Sequence, residues 1–303
     1  MILVTGATGF VGSEVLRRAS KRGWRVRGLA RRPDRAETLG RLPHVELFRG
    51  DVTEAADLDE ALEGVTAVVH LVGIITATKE QGFEQVHVGG TRAVLDAAAR
   101  AGVPRFVHMS ALGVVEGRDV TEYFRTKWEA EEAVRASGLS TTIFRPSTIF
   151  GKDSEFFALL AKMLRWSPGV LPLPGGGRQR LQPVWVGDVA ECFLQAARME
   201  RSPEEVYDVG GPETLELRDV VATMARAIGR RDPAIVPLPM TPLAALAGLA
   251  EKLIPALPVT EDQLKMLQIG SVTSSDAGKA LRRDFEIEHA RLSEKAPEWF
   301  ASR

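Results

Sequence analysis

The sequence has little of several features that mark particular classes of protein. Cys192 is the one cysteine among 303 residues, so no disulfide can form within the chain. A lone cysteine suits a reducing compartment, and we expect a cytoplasmic protein. Neither sign of charge dominates, because 39 Lys and Arg oppose 40 Asp and Glu and leave a formal net charge of -1. That balance gives no electrostatic reason to expect a nucleic acid as partner.

Apolar runs long enough to cross a bilayer are also missing. The best candidate, Leu243 to Ala250, ends at Glu251-Lys252, which is too short for a transmembrane helix. Ile2-Leu3-Val4 has the pattern of a core strand with no basic stretch before it, so we expect no secretory signal. The apolar stretch 243–254 is a helix candidate with two interpretations. It is either a lid on the substrate side or a peripheral contact with a membrane, a lipophilic ligand or a partner.

The five histidines show no spacing typical of metal ligands. We therefore expect no metal site. His70 and His108 fall on predicted strands, where packed or hydrogen-bonded core positions are the simplest interpretation.

Short apolar runs alternate with helical patterns through the first half of the chain. The predicted strands are Ile2–Thr5, Arg25–Ala30, Val45–Arg49, Ala67–Val72, Arg105–Ser110 and Thr141–Arg145. The predicted helices include Gly12–Lys21, Ala56–Leu62, Gly90–Ala101 and Glu122–Ser137. Such alternation predicts an α/β fold of the Rossmann type, a doubly wound parallel sheet with helices on both faces.

Turn residues become frequent in the second half, first in 167–178 and again in 232–242. This change predicts a dinucleotide-binding domain over residues 1–152 and a smaller, mostly helical substrate-side domain over residues 153–303. Segments near 184–210 carry a helical pattern and a short strand pattern, and we expect them to return to the first domain.

The strongest motif is Thr5-Gly6-Ala7-Thr8-Gly9-Phe10-Val11-Gly12, which lies between the first predicted strand and a helix. Gly6 permits the tight turn, Gly9 lets the backbone approach a pyrophosphate, and Gly12 lets the helix pack on the strand. The helix N-terminus adds unpaired N–H groups and a positive dipole end. The predicted contacts are Gly6, Thr8, Gly9, Phe10, Val11 and Gly12. The alternative is a glycine-rich turn without a ligand.

Two arginines, Arg31 and Arg32, follow the second predicted strand. NAD sites usually place a carboxylate there for the ribose 2′-hydroxyl, whereas arginine accommodates a 2′-phosphate. Asp34 comes late for the first role. The sequence therefore favours NADP(H) over NAD(H), unless both arginines are only solvated loop charges.

Further segments complete a pattern that resembles the short-chain dehydrogenase/reductase superfamily. In order they are Thr5–Gly12, Gly50-Asp51-Val52, His70-Leu71-Val72-Gly73, Gly90-Thr91, Tyr123-Phe124-Arg125-Thr126-Lys127, Arg145–Gly151 and Val186–Ala190. The resemblance covers about residues 1–230 and is specific by order and spacing together. It is strongest to atypical extended members of the NAD(P)-dependent epimerase/dehydratase type, similar to the 39-kDa accessory subunit of respiratory complex I. The run Tyr123–Glu131 and the turn Leu173–Gly177 point to that subgroup.

This resemblance implies further site residues. The implied additional cofactor contacts are Asp51, Val52, Leu71, Val72, Gly73, His87, Lys127 and Pro146. His87 stands where the family usually has an asparagine. Tyr123 and Lys127 match the family's catalytic pair, and Ser110 is the serine nearest to the catalytic position, although the family's serine usually lies slightly later.

The Tyr-x-x-x-Lys pair has a physical rationale of its own. Tyr123 and Lys127 lie four residues apart on a predicted helix and so share a face. A lysine ammonium near a phenol lowers the pKa of that phenol. The tyrosine can then exchange a proton with a substrate C–OH or C=O while hydride moves to or from a nicotinamide. The alternative is a chance pair on a solvated helix face.

Three functions stay open on the sequence alone. The first is an NADP(H)-binding oxidoreductase that acts on a carbonyl or hydroxyl group of a small molecule. The second is a non-catalytic, nucleotide-bound accessory subunit or assembly factor of a larger, respiratory-type complex, because Ser110 and His87 depart from the family's tetrad. The third is a nucleotide-sugar epimerase or dehydratase, against which Phe150 stands in place of the family's tyrosine.

Overall fold

A computed structural model describes residues 1–78, 81–200, 202, 205–239, 261–274 and 276–300. Its strands are β1 (Ile2–Thr5), β2 (Val26–Ala30), β3 (Val45–Arg49), β4 (Ala67–His70), β5 (Arg105–Met109), β6 (Ser140–Pro146), β7 (Ile149–Phe150), β8 (Val170–Pro174), β9 (Arg180–Leu181), β10 (Val184–Trp185), β11 (Val206–Val209), β12 (Leu215–Glu216) and β13 (Ala234–Leu238). The predicted contact segment 243–254 lies outside the described residues.

The helices follow the same chain order. They are α1 (Phe10–Lys21), α2 (Glu37–Gly40), α3 (Ala55–Ala61), α4 (Gly90–Arg100), α5 (Val114–Gly117), α6 (Glu122–Ala136), α7 (Glu155–Trp166), α8 (Val186–Ala196), α9 (Leu217–Ala227), α10 (Glu261–Ile269), α11 (Ala277–Phe285) and α12 (Leu292–Phe300). A π-helix spans Glu84–Gly89, and 3-10 turns span Pro33–Ala36 and Gly175–Gly177. In the part of the chain described, no helix is both long and apolar enough to pass through a membrane.

The chain divides into two compact units. Unit 1 comprises Met1–Pro146, Val186–Val209 and Ser275–Glu288. Unit 2 comprises Ser147–Trp185, Gly210–Ser274 and His289–Arg303.

Seven parallel strands of the described residues form the central sheet of unit 1, in the order β11-β6-β5-β4-β1-β2-β3. The predicted doubly wound parallel sheet is confirmed. The strand order reverses between β4 and β1. Open α/β sheets bind ligands beyond the carboxyl ends of the strands at such a reversal, so the loops after β1 and β4 lie where a ligand site is expected.

The strands of unit 1 form because apolar residues cover both faces of the sheet. Every residue of β1 and β4 is buried. Leu3, Val68 and Phe106, from three adjacent strands, are fully buried in one hydrophobic cluster. Parallel strands covered by helices on both faces require such continuous apolar runs.

The predicted strands of the first half are found, with small differences at their ends. β4 ends at His70 rather than at Val72, because its neighbour β1 ends at Thr5, the residue that pairs with His70. β5 likewise ends at Met109 rather than at Ser110. A strand without a paired neighbour loses its ladder hydrogen bonds, so β4 stops where its pairing with β1 ends. β5 stops at Met109, the last of its residues that pairs with β6.

Unit 2 contains strands where the sequence predicts only turns. β8 and β13 lie inside the two turn-rich stretches and pair with each other in parallel. Both carry proline, yet each has a free edge because their sheet has two strands. Proline is tolerated on edge strands, where its missing N–H costs no ladder hydrogen bond.

Arg105, the first residue of β5, is buried and joins three segments of unit 1. Its guanidinium donates to Ala196 O at 2.9 Å, to Ser140 O at 3.0 Å and to Ser202 Oγ at 2.8 Å, and also to Thr142 Oγ1. All four acceptors are neutral, and burial lowers the pKa of Arg105 to about 10. The arginine therefore holds the start of β5 to β6 and to the end of α8.

Cys192 lies on α8 of the same unit. It is a buried free cysteine, and burial, with the nearby carboxylates of Asp188 and Glu191, raises the pKa of its thiol well above the usual value.

We expect Arg105→Ala to lower the free energy of unfolding by about 2–4 kcal/mol, because it leaves buried oxygen acceptors without a donor. The matched control is Arg100→Ala. Arg100 forms an exposed ion pair with Asp59 at 2.7 Å, and its loss should cost no more than about 0.5–1 kcal/mol. Urea unfolding of both variants measures the difference, and equal midpoints would contradict the role assigned to Arg105.

Candidate active site

The turn after β1 leaves the N-terminus of α1 open. Gly6 has a φ of 68°, a conformation that favours glycine, and a Cβ there would lie 3.0 Å from the carbonyl carbon of Leu71. A Cβ on Gly12 would overlap the carbonyl oxygen of Gly6. Gly9 caps the helix without a capping side chain among the described residues, and no acidic residue occupies the first turn. The free N–H groups and the helix dipole are therefore available to an anion.

The motif residues differ in their exposure. Thr8 and Gly9 are exposed and Phe10 is half-buried, whereas Val11 and Gly12 are buried. The accessible part of the turn is thus its middle, and the buried part packs α1 against the sheet.

Arg31 and Arg32 follow the end of β2 and are exposed. Neither forms an ion pair with another residue that the structure describes. Asp34, the nearest carboxylate in sequence, pairs with Arg49 at 3.1 Å. The start of the loop after β2 therefore exposes the two cations Arg31 and Arg32, while the carboxylate of Asp34 is paired with Arg49.

The loop after β3 is ordered by its own hydrogen bonds. Asp51 Oδ1 accepts from Thr53 N and from Thr53 Oγ1, each at 3.0 Å. The N–H of Asp51 donates to Asp57 Oδ2 at 2.9 Å. Val52 lies against Gly90, where a Cβ would come within 3.1 Å of Val52 Cγ2. Asp51 and Val52 are thereby fixed in place.

Lys127 projects from α6 to the ends of β4 and β5. It is 3% exposed, and its Nζ donates to Met109 O at 2.9 Å. A Cβ on Gly73 would lie 3.0 Å from that Nζ, so the structure brings these two predicted residues together. Burial lowers the pKa of Lys127 to about 8, although the Glu131 carboxylate partly offsets the effect.

Tyr123 lies one turn earlier on α6, among aromatic rings. It is 7% exposed, and its ring centroid lies 6.0 Å from Phe83, 5.6 Å from His87 and 5.2 Å from Phe124. Burial raises the pKa of Tyr123 to about 12. The expected lowering by Lys127 is therefore wrong for this structure, because desolvation of the phenolate outweighs any attraction to the ammonium.

His87 joins the loop after β4 to α6. It lies in the π-helix, where its Nε2 is 3.1 Å from the N–H of Ile74 and its Nδ1 is 2.9 Å from Thr126 Oγ1. Its Nε2 is also 3.1 Å from the carbonyl oxygen of Ile74, and Thr126 Oγ1 donates to Glu122 O at 2.9 Å. Burial, followed by the charge of Lys127, lowers the pKa of His87 to about 3. The neutral ring thus fixes the segment next to Lys127.

Ser110 and Pro146 lie at the same edge of the sheet. Ser110 follows β5 and donates its N–H to Phe144 O at 2.8 Å. Its Oγ is buried and has no hydrogen-bond partner among the described residues. Pro146 O accepts from Leu112 N at 3.0 Å. A buried hydroxyl of this kind has its donor and its acceptor capacity unused.

Two buried histidines, His70 on β4 and His108 on β5, lie near this edge of the sheet. His70 bonds Thr5 Oγ1 through Nδ1 at 2.8 Å and Thr91 Oγ1 through Nε2 at 3.1 Å, which confirms the expected core role. Its ring stacks on His108, with centroids 5.5 Å apart and planes 15° apart. Burial, followed by the charge of Lys127, lowers the pKa of His70 to about 3 and that of His108 well below its usual value.

Sequence reasoning missed the bridging role of Thr126, Ile74 and Thr91. Thr126 lies inside the Tyr-x-x-x-Lys motif and Thr91 inside the Gly-Thr pair, so position gave a signal for both. Ile74 acts through its backbone, and the sequence gives no signal for a backbone contact. Among the residues described, no group of three or more His, Cys, Asp or Glu side chains is arranged to hold a metal ion.

We expect His70 to make the fold sensitive to acid. Its pKa is about 3 in the folded chain, below the usual 6.5, so the unfolded chain binds the proton first and the free energy of unfolding falls as pH drops below 6.5. Between pH 7 and pH 5 this amounts to about 2 kcal/mol. His70→Gln should lose that share of the pH dependence in urea unfolding.

The matched control for this experiment is His44→Asn. His44 is exposed and has a positive φ of 63°, which asparagine tolerates. This variant should keep the pH dependence of the natural chain. If His70→Gln kept it as well, the neutral buried ring would not be its source.

Several curated proteins are similar to this chain. A ceramide reductase of Caulobacter vibrioides is 37% identical over 174 residues, which are 57% of this chain and 53% of that protein. The chain thus spans about half the length of that relative. A (4-alkanoyl-5-oxo-2,5-dihydrofuran-3-yl)methyl phosphate reductase of Streptomyces griseus is 34% identical over 76% of this chain and 74% of its own length. The NADH dehydrogenase [ubiquinone] 1 alpha subcomplex subunit 9 of Arabidopsis thaliana is 28% identical over 91% of this chain and 71% of its own.

Solved structures have a similar fold. The crystal structure of gox2253 has a TM-score of 0.78 and 25% identity, and the match covers 100% of this chain and 98% of that one. An NADPH-dependent quinone oxidoreductase of Escherichia coli complexed with NADPH has a TM-score of 0.75 and 19% identity, with 99% of each chain covered.

The assignment of the chain to a family rests on a family model. The model of the NAD dependent epimerase/dehydratase family matches residues 2–210, which include the glycine-rich turn, the Tyr-x-x-x-Lys pair and the return of α8 to unit 1. The resemblance predicted from the motifs is confirmed, and the chain belongs to the NAD-dependent epimerase/dehydratase family.

Proposed function

We propose that the chain binds NADP(H) and acts as an oxidoreductase on a carbonyl or hydroxyl group of a small molecule. The observation that carries the proposal is the open N-terminus of α1. The turn before α1 and the first turn of α1 contain three glycines, and a Cβ on any of them would overlap or crowd neighbouring backbone atoms. The turn before α1 lies where the strand order of the sheet reverses. We also propose a cytoplasmic location, and we assign substrate contacts to residues 153–303.

The residues present fit a dinucleotide. The free N–H groups of α1 and the small Gly9 suit a pyrophosphate. Arg31 and Arg32, exposed and without ion pairs among the described residues, suit a 2′-phosphate. The remaining proposed contacts are Gly6, Thr8, Phe10, Val11, Gly12, Asp51, Val52, Leu71, Val72, Gly73, His87, Lys127 and Pro146.

The proposed chemistry places the proton on Tyr123. When bound, the nicotinamide supplies or accepts a hydride. The phenol keeps its proton because burial raises its pKa to about 12, so its Oη donates to a carbonyl oxygen in the reducing direction. The Lys127 ammonium favours the phenolate that results. Ser110 Oγ, which is buried without a partner among the described residues, is assigned to hold the reacting oxygen.

The names of two relatives support a reductive reaction. The Caulobacter and Streptomyces proteins are both called reductases. Their substrates differ in chemistry, so the names support the reaction type and not one substrate.

A second candidate is a nucleotide-bound subunit of a larger complex. The Arabidopsis relative, named as a subunit of NADH dehydrogenase, aligns with 91% of this chain. Retention of a dinucleotide without turnover, together with co-purification with a membrane complex, would select this candidate.

We expect Tyr123→Phe to lower kcat/KM by about 100- to 10,000-fold, because the variant has no proton to donate. Turnover is followed by nicotinamide absorbance with a broad panel of carbonyl compounds, and the dinucleotide Kd should change by no more than about threefold. Phe124→Leu, a change in the neighbouring ring, is the matched control and should keep most of the activity. Full turnover by Tyr123→Phe would refute the assigned role.

We expect removal of both arginines in Arg31→Ala/Arg32→Ala to weaken NADPH binding by about 10- to 100-fold, because charge-assisted contacts to the 2′-phosphate are lost. NADH binding should change by no more than about threefold, since NADH has no such phosphate. Calorimetry measures both. Arg41→Ala, which removes an exposed arginine paired with Glu37, is the control. An equal loss for both nucleotides would overturn the NADP(H) preference.

A further inference from the structure

Unit 2 exposes an unusual aromatic side chain. Trp166, the last residue of α7, is 83% exposed, the largest value for a big apolar side chain among the described residues. Tryptophan is rarely left so open in a soluble domain, because its large ring gains much from burial.

This exposure does not come from a frayed helix end. Arg230 Nη1 donates to the carbonyl oxygens of Leu164 and Ser167 at 2.8 and 2.9 Å. Ser167 Oγ donates in turn to Val170 O at 2.5 Å. The backbone on both sides of Trp166 is therefore fixed by hydrogen bonds.

The β8–β13 sheet, whose first strand begins four residues after Trp166, also exposes apolar residues. Val170 pairs with Ala234, and Pro172 pairs with Val236, across the β8–β13 ladder, and all four are exposed. Leu171, on the opposite face, is buried. We call Trp166, Val170, Pro172, Ala234 and Val236 the Trp166 surface.

Basic residues lie near the α7–β8 side of this surface in the sequence, and on the β13 side the exposed Asp232 is paired with Arg226 at 3.4 Å. No acidic residue occurs in 156–187, which contains Lys162, Arg165, Arg178 and Arg180. Lys162 is exposed, and neither it nor Arg165 forms an ion pair with any residue the structure describes. Unpaired basic residues next to exposed apolar ones complement a surface that is negative outside and apolar beneath.

We propose that the Trp166 surface docks unit 2 on an anionic lipid bilayer. Tryptophan favours the headgroup level of a membrane, and lysine and arginine are attracted to anionic lipids. A second copy of the chain fits less well, since a symmetric interface would bring the same basic residues together.

The test is co-sedimentation of the full chain with vesicles. One set is phosphatidylcholine alone, and the other contains about 30 mol% phosphatidylserine. We expect binding to the anionic set only, and a loss of that binding at about 1 M salt, where screening is strong. Trp166→Ser should weaken the partition by about tenfold.

Matched valines make the test specific. Val236 is 44% exposed on the Trp166 surface, and Val272, outside it, is 37% exposed. Val236→Ser should weaken binding by about threefold and Val272→Ser should leave it unchanged. Brominated lipids should quench part of the tryptophan fluorescence of the natural chain, and Trp166→Phe, which keeps four other tryptophans, should lose that quenching.

Four outcomes would overturn the proposal. They are no binding to anionic vesicles, equal binding to both vesicle sets, unchanged binding by Trp166→Ser, and equal effects of the two valine variants. A dimer in size-exclusion chromatography that Trp166→Ser dissociates, without any vesicle binding, would assign the surface to a second copy instead.

Discussion

The close approach of backbone segments at the carboxyl edge of β1 and β4 governs the candidate site. Gly12 packs on the carbonyl of Gly6, and Gly6 packs on the backbone of Leu71. These contacts leave no room for side chains, so α1 begins directly at the reversal of the strand order. The free N–H groups of that helix N-terminus are the proposed anion site.

Electrostatics at the same edge follows from burial. Lys127 is a buried cation, and its charge adds to burial in lowering the pKa of His70, His87 and His108. Neutral rings accept or donate hydrogen bonds without adding a second positive charge. This arrangement lets one ammonium lie beside Gly73 with a backbone carbonyl, rather than a carboxylate, as its direct hydrogen-bond acceptor.

Much of this could be predicted from the sequence, since the decisive signals are local. Short apolar runs that alternate with helical patterns predicted the strands of unit 1, and the glycine spacing predicted the turn after β1. The pKa of Tyr123 could not be predicted, because it depends on rings from Phe83 and His87, which are distant in sequence. The β8–β13 ladder was missed for a related reason. Its prolines argue against a strand until the pairing shows that both strands lie at an edge.

The position of Cys192 has a consequence for how opening of unit 1 can be followed. Only the thiolate reacts with alkylating reagents, and this thiol is buried on α8 with a pKa well above its usual value. Because the chain has no other cysteine, covalent labelling occurs at one place and only when that helix separates from its neighbours. The rate at which Cys192 is alkylated therefore reports local unfolding around α8, without any engineered probe.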